Sequence, residues 1–68
     1  MWEELTLGQR IKALREGSGL TQTALAQEVG CTRNRIRSWE IGEGVPSLGM
    51  FEALCKALDT HPNELLGW

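Results

Sequence analysis

The sequence has a single histidine and only two cysteines, and this scarcity removes most kinds of site chemistry. Cys31 and Cys55 are too few for a disulfide framework and lack metal-ligand spacing, so they read as small core hydrophobes. His61 has no Cys, Asp or Ser arranged around it, which leaves it neither a catalytic nor a metal-binding role. Clustered carboxylates and a phosphate-binding glycine loop are missing too. A chain of 68 residues without them offers no pocket for a catalytic constellation, and neither an enzyme nor a cofactor is expected. No apolar run approaches the length of a bilayer span. The opening Met1-Trp2-Glu3-Glu4 is acidic where a secretory leader would be basic, so the expected location is the cytoplasm. Internal repeats, linkers and low-complexity tracts are absent as well.

Excess positive charge is the last thing lacking: the formal net charge is −2 and the pI about 5.2. For a nucleic-acid binder a basic domain is the usual expectation. Distribution outweighs the sum, however. Six of the seven basic residues, Arg10, Lys12, Arg15, Arg33, Arg35 and Arg37, fall in two patterned segments. Most acids (Glu3, Glu4, Glu52, Asp59 and Glu64) fall toward the two ends. A local positive face on an acidic domain is physically adequate, with weaker non-specific binding as its consequence. What the chain does have is 41% hydrophobic and 24% charged residues, ordinary values for a small globular unit. One domain over residues 1–68 with one core is expected.

The informative stretch is Gln22 to Ile41. It divides into two short helical patterns around Gly30, a residue free to take the positive φ of a sharp turn. Leu25, Ala26 and Val29 share one face of the first pattern. Ile36 and Trp39 point inward from the second, which leaves Arg33, Asn34, Arg37 and Ser38 along the opposite face. Thr32 caps the second helix through its hydroxyl. Ala26 is small where two helices joined by so short a turn must approach. The unit is a helix-turn-helix over about residues 22–41.

On either side of it the order of elements is legible. Met1 to Leu5 is a tail whose Trp2 docks on the core or on a second subunit. Thr6 and Gln9 form a capping box for a first helix that runs to about Glu16, with Leu7, Ile11 and Leu14 inward and Gly17 at its end. Leu20 resumes the core and Thr21 caps the second helix, Gln22 to Val29. The third spans about Arg33 to Glu40 and closes at Gly42. Ser47 caps a fourth helix, Leu48 to Leu58, whose apolar face is Leu48, Phe51, Leu54, Cys55 and Leu58. Asp59 follows where glycine is usual and tolerates the left-handed geometry better than most residues. His61 caps a last short helix with Pro62 preset at its first position, and Leu65 and Leu66 close the core.

Thr21-Gln22, Leu25-Ala26, Val29-Gly30, Thr32, Ile36, Trp39-Glu40, Gly42, Pro46-Ser47 and Leu65-Leu66 together resemble the DNA-binding domain of the Cro/C1-type (XRE-like) phage and bacterial repressors. The resemblance runs from about Leu7 to Gly67 and implies an all-α, compact five-helix, lambda-repressor-like DNA-binding domain. It implies base contacts from Arg33, Asn34 and Ser38, with Arg37 reaching a base or a phosphate, and an ion pair between Arg15 and Glu40. In such domains the loop before the fourth helix contacts the DNA backbone, often through a basic side chain. Here that loop carries Glu43, which leaves only its backbone amides for such a contact.

The chemistry agrees with those roles. Arginine fits the two acceptors of guanine, and asparagine fits the acceptor and donor of adenine in the major groove. Arg35 projects sideways as a phosphate contact. Gln22, beside free amides in the first turn of its helix, is another, and Arg10 is a third candidate. The function expected is sequence-specific binding of double-stranded DNA by a transcriptional repressor or regulator. Because one short helix reads few base pairs, a homodimer on a palindromic operator is expected, meeting through Leu66, Gly67 and Trp68. The alternative is a protein-interaction module on the same fold, of the antitoxin or bridging-factor type.

Overall fold

Four of the five helices begin on a hydroxyl. Thr6, Thr21, Thr32 and Ser47 each accept a hydrogen bond from the amide three residues on, at 3.1, 3.0, 3.2 and 3.3 Å. Each such cap contributes about 1 kcal/mol by satisfying an otherwise orphaned donor. In the computed structural model, which describes residues 1–67, the helices are α1 (Leu7–Gly17), α2 (Gln22–Val29), α3 (Arg33–Glu40), α4 (Leu48–Ala57) and α5 (Pro62–Leu66). A single 3-10 turn, Trp2–Glu4, precedes them, and no strand occurs among the described residues. The Thr6 box is reciprocal, since the Gln9 carboxamide accepts from the Thr6 amide at 2.9 Å.

Each helix sends one fully buried side chain to the centre: Ile11, Leu25, Ile36, Leu54 and Leu65. At roughly 1.5–3 kcal/mol for each buried aliphatic side chain, this cluster is the main favourable term. Val29, Trp39, Cys55 and Leu58 extend it. α1 and α2 both pack on α3, α2 also packs on α4, and α5 closes the end between α1 and α4. The reversal between α2 and α3 is made at Gly30, with φ +88. Asp59, with φ +50, is the sole non-glycine at positive φ among the described residues.

Four expectations need correction. Leu48 lies on the apolar stripe of α4 by periodicity yet is 75% exposed. It is the first residue of the helix, and the stripe continues past the edge of the core it faces. Leu66 is 39% exposed, because α5 has only five residues and Leu65 already takes its inward side. His61 occupies the N-cap position without a side-chain cap bond. Cys31 is half-buried rather than buried at its turn. Burial pushes the thiols of Cys31 and Cys55 up from their ordinary value, which disfavours the reactive thiolate.

Candidate nucleic-acid interface

The site is built on α3, and its orientation is set from behind. Ile36, Trp39 and Glu40 are buried, so Arg33, Asn34, Arg35 and Arg37 are left exposed and Ser38 half-exposed. Residues four apart lie above one another on a helix, so Arg33–Arg37 and Asn34–Ser38 form two adjacent rows. Eight residues at 1.5 Å each make a rod about 12 Å long, with a side-chain edge of arginines, an amide and a hydroxyl. None of Arg33, Arg35 and Arg37 has a carboxylate within 4 Å among the described residues, so their charge faces solvent uncompensated. On one flank Thr32, Asn34, Arg35 and Ser38 border an open concavity of about 320 Å³ that Glu43 of the following loop also lines.

Behind α3, a buried network joins three helices. Arg15 of α1 donates to the Glu40 carboxylate from Nε at 2.6 Å and from Nη2 at 3.2 Å. Its remaining Nη1 donates to the Leu20 carbonyl at 2.9 Å. Gln22, the first residue of α2, donates its side-chain amide to Glu40 Oε1 at 3.0 Å. The resemblance paired Arg15 with Glu40; the Gln22 bond was not anticipated. It ties the half-buried first residue of α2 to the end of α3 and leaves Gln22 one further N–H beyond this bond.

Arg10 does not belong to the interface. It is 6% exposed, with Nε donating to the Trp2 carbonyl, Nη2 to Glu3 and Nη1 to Leu65 at 3.1, 3.2 and 3.2 Å. Its guanidinium carbon also lies 6.0 Å from the centroid of the Trp2 ring. A cation already serving three carbonyls inside the fold has no reach to a phosphate. Trp2 in turn donates from Nε1 to the Glu64 carbonyl at 2.7 Å, so the N-terminal turn docks on its own domain. Gly67 lies against the same guanidinium, where a Cβ would collide with it. We expect Arg10→Ala to release the N-terminal turn and lower stability by ~1–2 kcal/mol. A shift in Trp fluorescence with an unchanged salt dependence of any ligand binding would check it. A reduced salt slope would return Arg10 to the interface.

With Arg10 and Arg15 consumed internally, the positive face is narrower than the sequence suggested and centres on the three arginines of α3. Two placements were not read from sequence. Gly8 allows α1 to touch the backbone at the end of α3, and Glu43, noted above only for its loop, lines the concavity beside Asn34 and Ser38. A glycine inside a capping box was the available signal for the first. Among the described residues no three metal-ligating side chains come together, and no helix is long and apolar enough to cross a membrane.

Comparison with known proteins agrees with this geometry. A family model described as a helix-turn-helix domain matches residues 6–66. The immunity repressor protein of Bacillus phage phi105 is 36% identical over 63 residues, which are 93% of this chain and 44% of that protein. The P22 c2 repressor, solved in complex with a synthetic operator, superposes with a TM-score of 0.88 at 37% identity, over 91% of this chain and 94% of that one. The restriction-modification controller protein C.AhdI from Aeromonas hydrophila superposes with a TM-score of 0.84 at 38% identity, over 88% of this chain and 91% of that one. The chain spans less than half the length of the curated relatives it matches. By fold, by the residues of its second and third helices and by these matches, the chain belongs to the helix-turn-helix domain family, of the Cro/C1 (XRE-like) repressor type.

Proposed function

We propose that this chain is a sequence-specific double-stranded DNA-binding domain, residues 1–68, that regulates transcription by placing α3 in the major groove. The observation that carries the proposal is a set of three exposed arginines, none with a carboxylate within 4 Å among the described residues, beside Asn34 on a helix held from behind. A groove about 12 Å wide admits such a helix and shows each base pair as a distinct donor and acceptor pattern. Arg33 and Asn34, at the N-terminal end where side chains reach base edges first, read bases, and Arg37 and Ser38 read one turn later. Arg35 and Gln22 hold phosphates. The operator complex of the P22 c2 repressor supports this reading by likeness of fold.

Random-sequence selection of bound duplexes tests the proposal, and failure to retain any duplex at low salt would end it. Once a site is known, Arg33→Ala or Asn34→Ala should cost ~1–3 kcal/mol on that site and blur preference at adjacent positions. Binding to random DNA should change less, because phosphate contacts carry that affinity. Arg35→Ala should weaken every sequence alike and lower the slope of log K against log salt by about one. If Arg33→Ala and Arg35→Ala behave identically, α3 is an electrostatic patch and reads nothing.

Assembly follows from the size of the reading element. One helix of eight residues covers a few base pairs, so two copies on a palindromic site, with half-sites a helical turn apart, supply the specificity. Leu66 is exposed enough to contribute to a contact between copies, whereas Trp68, named with it above, lies outside the described residues. Sedimentation with operator DNA should show two chains per duplex, and one chain per duplex at all concentrations would exclude the dimer.

A further inference from the structure

The loop after α3 carries a charge of the wrong sign for a surface meant only to grip phosphate. Glu43 is exposed and shares the concavity beside α3 with Asn34, Arg35 and Ser38. Its position is set by backbone. The Glu43 amide donates to the Ser38 carbonyl at 2.8 Å, folding the loop back over the last turn of the helix, and Gly42 makes the reversal at φ +82. No cation lies within 4 Å of the Glu43 carboxylate among the described residues, so its charge is not consumed inside the protein.

An ionised carboxylate can only accept hydrogen bonds. Phosphate oxygens, guanine O6 and N7 and thymine O4 are acceptors too, and all of them repel it. In the major groove only the amino groups of cytosine and adenine donate. Beside the adenine amino group stands the acceptor N7, whereas the cytosine amino group has no acceptor on its own ring in that groove. We infer that Glu43 is a specificity-determining residue that accepts from the amino group of a cytosine, next to the bases read by Asn34 and Ser38. The same charge disfavours every sequence, and a duplex offsets that cost only where it presents the donor. Discrimination then comes as much from rejecting wrong DNA as from holding the right one. This rests on the DNA reading proposed above and adds a base class to it.

The test compares the wild-type chain, Glu43→Gln and Glu52→Gln. The last removes the same unit of charge from an exposed position on α4, the helix packed on α2 and α5. Each is put through selection from a random duplex library and then titrated against the selected duplex and random DNA, with circular dichroism confirming the fold. Wild type should select a cytosine at one fixed position, and Glu43→Gln, whose amide both donates and accepts, should tolerate other bases there. Glu43→Gln should bind random DNA about threefold tighter at moderate salt. Its ratio of selected to random affinity should fall about tenfold, while Glu52→Gln keeps the wild-type ratio. An unchanged base preference in Glu43→Gln, or an equal change in Glu52→Gln, overturns the inference and leaves the DNA reading standing. If the wild-type chain retains no duplex, both fall together.

Discussion

Glu40→Ala is expected to bring the domain to the edge of unfolding. The Glu40 side chain is 2% exposed and its partner Arg15 10%, with the closest approach at 2.6 Å. Three donors converge on the carboxylate, two from Arg15 and one from Gln22. Removing it strands a buried guanidinium, which costs ~3–5 kcal/mol. A domain of this size has ~3–10 kcal/mol in total, at ~0.05–0.15 kcal/mol per residue. Urea denaturation followed by circular dichroism measures the loss directly, and a variant melting within a few degrees of wild type would show that the pair carries little. Replacing both partners, as Arg15→Met with Glu40→Leu, should recover much of the stability, since a well-packed apolar pair avoids the desolvation of two ions. The hydrogen bond to Glu40 raises the Arg15 pKa above its ordinary value despite burial. A raised pKa gives stability that is fully present below the unfolded value and lost only as pH rises through the folded one, so on the arginine side the pair is intact at every pH short of strong alkali.

Gly8→Ala should destabilise, against what helix propensity alone would say. Alanine in a helix interior is favoured over glycine by roughly 0.5–1 kcal/mol, so propensity predicts a gain. At this position an added Cβ would collide with the Trp39 carbonyl oxygen and stand 2.8 Å from that of Glu40. Both are backbone atoms at the end of α3, and neither can turn aside as a long side chain would. α1 would have to back away from α3, loosening Ile11 against Ile36 and disturbing the Glu40 network. We expect a loss of ~3 kcal/mol, at the upper end of overpacking costs. The sign is the test: a rise in Tm would mean that the two helices do not touch there.

The part of this fold legible in the sequence is the part made by neighbours along the chain. The four hydroxyl caps join residues three apart. The inward faces of α2 and α3 follow from helical periodicity, and Gly30 at the turn follows from the φ it must adopt. Those local rules were enough to place Arg33, Asn34, Arg37 and Ser38 on one outward face, because burying Ile36 and Trp39 leaves them nowhere else to point. Family likeness, rather than spacing, supplied the pairing of Arg15 with Glu40.

What only the tertiary structure decided depends on residues far apart in the chain. Arg10 looks like one more surface cation until the carbonyl of Leu65, 55 residues away, takes its Nη1. Trp2 finds its partner at Glu64, 62 residues away. Leu48 shares the period of its apolar neighbours, but the period does not say where the opposing surface ends. Gly8 mattered only once α1 met the end of α3, and the place of Glu43 beside Asn34 and Ser38 was set only when the loop folded back over Ser38. The physical reason is the same in each case. Helix formation and capping are decided within a turn of the chain, whereas the fate of a charge or a missing Cβ is decided by which distant backbone packing brings against it.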